Sequence, residues 1–465
     1  MSISRRDFLK TTGLAAGATA SASLIPAGLS RAEGAPKADA SPAAPAAEKK
    51  LRLAIIGCGG QGGADLGGMA SHPRLLLVAA CDPDKNKREG TARHYGERQK
   101  TEVKAYSDYR NMFREMKGQI DGVLVATTDH MHAPIGLLAM SLGIHVYGQK
   151  PLARTIGECR AMTEMAAKTK VITQMGIQIH SSDIYLTTRK WIREGVIGKV
   201  KSVSSNMCGN KPWGGMVNFT VAPAPESLDW DRYIGVSAGQ PYSNEVHPGN
   251  WRKWVSFGSG IQGDMACHVF DPVYMATGLG APTKAVSFGP LPPDDRFFAF
   301  DNDVEYTFPG TEQTAGDIKL RWRSGKIYPP KGMHPGIEAP HSGSLIIGEK
   351  GALSIPHMAF PTVVDANGNK LERKDLPAPA AGRNHYHDWI DAVLTNDQAK
   401  ATAGFAYAGP MTEAVLMGLA INHAPNKEFT WDAANCKFTG EGKEVEKANA
   451  LVHPAYRKGW TAPGM

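Results

Sequence analysis

From Leu51 onward the chain alternates short apolar runs with amphipathic stretches. "LRLAII" leads into a glycine-rich turn and a helical stretch to about Ser71; "LLLVAAC", a charged helical stretch, "VKAY", another helix, "DGVLVATT", a helix and "HVYG" follow. Apolar runs bounded by turns and separated by helices predict buried strands of a parallel sheet with both faces covered. The pattern predicts a doubly wound α/β domain over residues 51–175.

Beyond that point the period changes. "KAVSFG", "DVEYTFPG", "DIKLRW" and "SLIIGEKGALSI" alternate apolar and polar positions between turns. This predicts a large, mostly antiparallel sheet in a C-terminal α+β domain over residues 176–465. "HYHDWIDAVL" and "FAYAGPMTEAVLMGLAINH" read as helices expected to cover that sheet. A chain of 465 residues fits two domains, taking about 150 residues per domain.

The N-terminus has a different pattern. Arg5 and Arg6 precede an apolar, small-residue run from Thr11 to about Pro26, and Ser30 and Ala32 stand at the minus-three and minus-one positions of a cleavage site. The run is shorter than the about 20 residues of a membrane-spanning helix. Residues 1–32 are expected to be a signal peptide. "SRRDFLK" resembles the twin-arginine signals of bacteria, which predicts export to the periplasm by that machinery, as a protein already folded. Residues 33–50 are Ala, Pro and charge, a composition that cannot offset ordering entropy by burial, so they are expected to be a disordered tether.

Composition narrows the function classes. The 52 basic residues exceed the 45 acidic ones by a net charge of +7, and no basic run forms a patch, so no nucleic-acid partner is expected. The six cysteines show neither Cys-x-x-Cys nor zinc-site spacing. Free, mostly buried thiols are expected, in keeping with folding in a reducing compartment.

Gly57, Gly59 and Gly62 form Gly-x-Gly-x-x-Gly between a strand and a helix, where backbone amides, including those at Gly60 and Gln61, and a helix N-terminus meet a pyrophosphate. Asp82 ends the second strand, placed to accept ribose hydroxyls. A carboxylate there favours NAD, but Lys85, Lys87 and Arg88 follow closely, so NADP stays open. Ligands of such sheets sit at the strands' carboxyl ends. Thr127, His130 and His132 of "ATTDHMHAP", and Lys150 of "HVYGQKPLA", are therefore candidate cofactor contacts. A His-x-His pair without a third ligand predicts no metal. In "GSGIQGDMACHVFDPV", Asp264, His268 and Asp271 fall on one helical face. Residues 206–260 gather Trp213, Trp230, Trp251 and Trp254 with Lys211, Arg232, Tyr233, His247 and Arg252. Flat aromatic faces beside multidentate donors suit a sugar ring, making Trp213, Arg252 and Trp254 candidate substrate contacts.

The glycine motif, "GQKP" and Asp264-x-x-x-His268 together resemble the Gfo/Idh/MocA oxidoreductases over about Leu51 to Trp460. The resemblance implies a Rossmann domain and an open-faced sheet used in oligomer contacts, of a dimer or tetramer. It implies that Lys150 contacts substrate and nicotinamide ribose, that Asp264 and His268 transfer protons and contact substrate, and that His180 of "GIQIHSSD" lies near a substrate position. This sequence departs from the family's Glu-Lys-Pro at Gln149. Losing a carboxylate neighbour disfavours the charged form of the lysine.

Export leaves no replenished external NAD, so the cofactor is expected to be held and recycled. The leading reading is an oxidoreductase of CH–OH groups on a sugar, polyol or glycoside. A redox-assisted glycoside hydrolase or lyase is the alternative, and a cofactor-carrying binding protein without turnover is a third.

Overall fold

The computed structural model describes residues 48–209 and 213–465. The signal, all but residues 48–50 of the tether, and Lys211 lie outside the described residues; residues 48–50 are exposed coil. Six strands, β1 (Leu51–Ile56), β2 (Leu75–Cys81), β3 (Lys104–Tyr106), β4 (Gly122–Val125), β5 (His145–Gln149) and β6 (Thr173–Gly176), form a wholly parallel sheet of order β3-β2-β1-β4-β5-β6. This is the doubly wound topology that the alternating pattern predicts. Its order reverses between β1 and β4, which opens a crevice at their carboxyl ends.

Nine strands form the second sheet: β7 (Val200–Cys208), β8 (Lys284–Gly289), β9 (Asn302–Phe308), β10 (Thr314–Gly325), β11 (Ser342–Gly348), β12 (Gly351–Pro356), β13 (Thr362–Asp365), β14 (Glu428–Asp432) and β15 (Lys437–Thr439). Their order is β13-β12-β11-β7-β10-β9-β8-β14-β15, and β7 with β10 is the parallel pair in an otherwise antiparallel ladder. Strand β9 shows the alternation directly, with Val304, Tyr306 and Phe308 fully buried and the residues between them part-exposed.

One covering helix departs from expectation. His385–Thr395 returns to the parallel sheet, where Trp389 and Ile390 are fully buried with Leu53, Leu77 and Leu124. The approach is close: a Cβ on Gly122 of β4 would lie 2.9 Å from the Trp389 ring. The other helix, Phe405–Ile421, packs against Ile156–Thr169 of the first half and against β8 of the second. Residues 48–465 accordingly cluster as one unit. All six cysteines are free, and five are buried.

Candidate active site

The glycine turn is shaped by close contacts on one side and space on the other. Gly57 has φ +91°, and a Cβ there would sit 2.4 Å from the Ala126 carbonyl oxygen just beyond β4. At Gly62 a Cβ would sit 2.0 Å from the Gly57 oxygen. Only glycine lets the helix Gly60–Met69 start this close to the strands. Among the described residues, a Cβ at Gly60 (φ +49°) would meet nothing within 4 Å, and no side chain caps the helix N-terminus. Exposed amides at an uncapped N-terminus attract an anion.

A cavity of about 360 Å³ opens from this turn. Gly57, Gly59, Gly60, Gln61, Asp82 and Thr127 line it, and Arg252 reaches it from the second half of the chain. The Asp82 carboxylate accepts from the Cys58 and Asp84 backbone N–H groups, both at 2.8 Å. Burial raises its pKa against those hydrogen bonds. Asp84 and Asp108 line the same space, opposed by Lys87 and Arg232. Arg88 instead donates to the Asp82 and Pro83 carbonyls. The glycine cradle, the uncapped helix and the acidic wall fit a dinucleotide with free ribose hydroxyls.

Beyond Arg252 lies a charged cluster. Lys150, at the turn after β5, donates from Nζ to Asp264 Oδ1 at 2.7 Å and to the Asp264 carbonyl at 2.9 Å. Arg252 Nε donates to the same Oδ1 at 3.0 Å. Asp264 lies within a π-helical turn, Gln262–Ala266, that runs into the helix Cys267–Thr277, rather than at the helix N-cap. Burial alone would raise its carboxyl, but Lys150 and then Arg252 bring it down to about 2. His268 follows one turn later. Its Nδ1 is buried and has no hydrogen-bond partner among the described residues. Burial first, then the charge of Lys150, holds its pKa well below the ordinary value. An uncharged imidazole nitrogen with a free lone pair can accept a proton. The Arg252 guanidinium also lies 4.1 Å over the Trp251 ring and 5.4 Å from that of Trp213.

Other expected contacts fall elsewhere. His130 and His132 do not line the cavity. His130 Nδ1 meets Thr128 Oγ1 at 2.9 Å and its Nε2 meets the Ile234 carbonyl at 3.0 Å, while burial lowers its pKa to about 3. His132 Nδ1 meets the Pro151 carbonyl at 2.8 Å and its Nε2 the Thr127 carbonyl at 3.2 Å. Both rings are consumed in tying the end of β4 to neighbouring turns. His180 is buried, its Nδ1 2.8 Å from Asp271 Oδ1, which also accepts from Tyr407 Oη at 2.6 Å. This couples the turn after β6 to the helix bearing His268. Trp254 is a core residue, 4.5 Å from the Phe297 ring, with Nε1 donating to the Glu245 carbonyl. Gly62 acts by helix–strand contact; Lys150, Asp264 and His268 are not among the residues lining the cavity, and Arg252, which is, connects to Lys150 through Asp264. Sequence reasoning missed Tyr109, Asp108 and Trp460 on the wall and Asp65 beside Gln149. They come from three separate segments, and no local spacing joins them.

Comparison with known proteins agrees with this geometry. Residues 51–177 match the model of the Gfo/Idh/MocA oxidoreductase family's NAD-binding Rossmann fold, and residues 185–284 match that of its C-terminal alpha/beta domain. These two matched segments correspond to the nucleotide-binding and C-terminal domains of Gfo/Idh/MocA oxidoreductases. A "Glycosyl hydrolase family 109 protein 2" of Akkermansia muciniphila is 30% identical over 218 residues, 42% of this chain and 45% of that protein. A levoglucosan dehydrogenase of Pseudarthrobacter phenanthrenivorans is 26% identical over 249 residues, 51% of this chain and 54% of that protein. These matches span about half the length of each relative. Among solved structures, a levoglucosan dehydrogenase in complex with NADH and levoglucosan aligns with TM-score 0.56 and 18% identity, covering 82% of this chain and 99% of that one. The WlbA dehydrogenase from Bordetella pertussis, in complex with NADH and UDP-GlcNAcA, aligns with TM-score 0.56 and 16% identity, covering 83% and 99%. At these identities the likeness to the two structures is one of fold.

Proposed function

We propose that this NAD-binding oxidoreductase acts on a CH–OH group of a sugar, polyol or glycoside, is exported to the periplasm, and keeps its NAD through a redox-neutral cycle. The observation that carries the reading is Lys150 and Arg252 gathered on the Asp264 carboxylate, with His268 one turn away, its Nδ1 without a partner among the described residues. When bound, NAD supplies a hydride acceptor for a carbon–hydrogen bond. The protein must then take the hydroxyl proton, and His268 Nδ1 is the group to receive it. Lys150 holds positive charge beside the reacting oxygen, and Asp264 fixes the ammonium in place. Arg252, with Trp213 and Trp251 against its guanidinium, orients a ring bearing hydroxyls.

Redox-assisted glycoside cleavage is the second reading, favoured by the 30% identity to a glycosyl hydrolase family 109 protein. One experiment separates the two. Protein purified from the periplasm is dialysed, then incubated without added cofactor with a panel of sugars and glycosides. Paired oxidised and reduced sugars indicate oxidoreduction, and a released aglycone indicates cleavage. Turnover that appears only with added NAD would refute the retained-cofactor cycle.

A further inference from the structure

Position 149 carries an amide, and across from it lies a carboxylate that the charged cluster does not use. Asp65, on the helix Gly60–Met69, is fully buried. Gln149 Nε2 donates to its Oδ2. Its Oδ1 accepts from Gln61 Nε2 at 2.8 Å, Tyr386 Oη at 2.9 Å and Gln178 Nε2 at 3.1 Å. All four donors are neutral, and ionising a buried carboxyl without a directly paired cation is costly. Among the described residues, the charge that acts on it is that of Lys150. Its backbone N–H donates to Gln149 Oε1 at 3.2 Å, so a single amide side chain spans Asp65 and the Lys150 turn.

We propose that Asp65 is the positioning carboxylate of the Lys150 turn: the negative charge absent from position 149 resides on the neighbouring helix, and Gln149 links it to the lysine. The inference rests on Lys150 as the functional amine. Asp65 is a positioning residue, since it is shielded from the cavity and acts through Gln149 and through its field. A mere hydrogen-bonding hub would leave Lys150 indifferent to whether Asp65 is ionised.

The groups facing Asp65 make that distinction measurable. Burial raises its carboxyl to about 6, against the hydrogen bonds of Gln61, Tyr386 and Gln149 and the charge of Lys150. The other facing titratable groups are Tyr147 and Tyr386, both pushed up by burial. His385, against the Tyr147 ring, is lowered by burial to about 3. Within this shell, ionisation of Asp65 is the event expected near neutral pH.

The test uses holoenzyme labelled at the lysine ε-carbons, with the Lys150 signal assigned through Lys150→Arg, titrated from about pH 5 to 8. The wild-type Lys150 signal is expected to shift with an inflection at about pH 6, and Asp65→Asn is expected to abolish it. Because that variant sets two amide NH₂ groups face to face, Asp65→Asn with Gln149→Glu is the complementary pair. In it the inflection should move away from its wild-type position, and turnover on the sugar panel should recover at least about tenfold over Asp65→Asn. A wild-type Lys150 signal without an inflection, or the same inflection persisting in either variant, overturns the proposal. Lys150→Met that keeps full turnover would instead refute the function assigned to the lysine, while leaving its coupling to Asp65 intact.

Discussion

Replacing Asp264 by asparagine removes the charge that holds Lys150 and Arg252 together while keeping the side chain's shape. Drawing a buried carboxyl from its ordinary 3.8 down to about 2 corresponds to about 2–3 kcal/mol of stability at neutral pH. Removing one member of a buried ion pair costs about 3–5 kcal/mol, because the partner charge stays behind. Here the Lys150 and Arg252 side chains are 13% and 26% exposed, so water relieves part of that penalty. Asp264→Asn is therefore expected to lose about 3 kcal/mol at pH 7. The sign of the pH dependence follows from the depressed folded-state value. The stabilisation is complete above the unfolded carboxyl's range and is lost as pH falls toward about 2. The gap between wild type and variant should accordingly narrow steadily from about pH 5 downward. Equilibrium urea unfolding followed by tryptophan fluorescence at several pH values measures it. A variant within about 0.5 kcal/mol of wild type at pH 7, or a gap that stays constant into acid, would refute the coupling drawn between these three residues.

Three further outcomes are expected. Lys150→Met and His268→Ala should each lower turnover by about 10² to 10⁴, with the double variant little worse than the poorer single one, because the two act as a unit; fluorescence of bound NADH checks that cofactor is retained. Asp82→Ala should lose discrimination against NADP, measured as the ratio of NADH to NADPH dissociation constants; an unchanged ratio would show that Asp84 and Asp108 carry the selection instead. Gly57→Ala should fail to retain dinucleotide through dialysis, since its Cβ would collide with the Ala126 oxygen and its backbone needs a positive φ.

The periodicity of apolar runs was enough to give the parallel sheet and the antiparallel ladder, because burial on two faces or on one leaves different patterns in the chain. The glycine spacing likewise located the cradle, since a tight turn at a strand end is a local backbone requirement. Asp264 and His268 were legible as neighbours on a helix, and Lys150 through its place after β5.

What the sequence left open depends on which distant segments meet. His385–Thr395 was expected on the antiparallel sheet but lies on the parallel one, because its apolar face suits either and Trp389 packs closely over Gly122, a residue far away in the chain. His130, His132 and Trp254 have the chemistry of ligand contacts, yet the fold surrounds them with carbonyls and rings that use up their polar atoms. Conversely, Asp65 is an unremarked residue of its helix until β5, the turn after β6 and Tyr386 converge on it. Local propensity and spacing are properties of neighbours along the chain. The ionisation of a carboxylate, and what a histidine nitrogen is free to do, are set by burial and by partners that only the tertiary structure brings together.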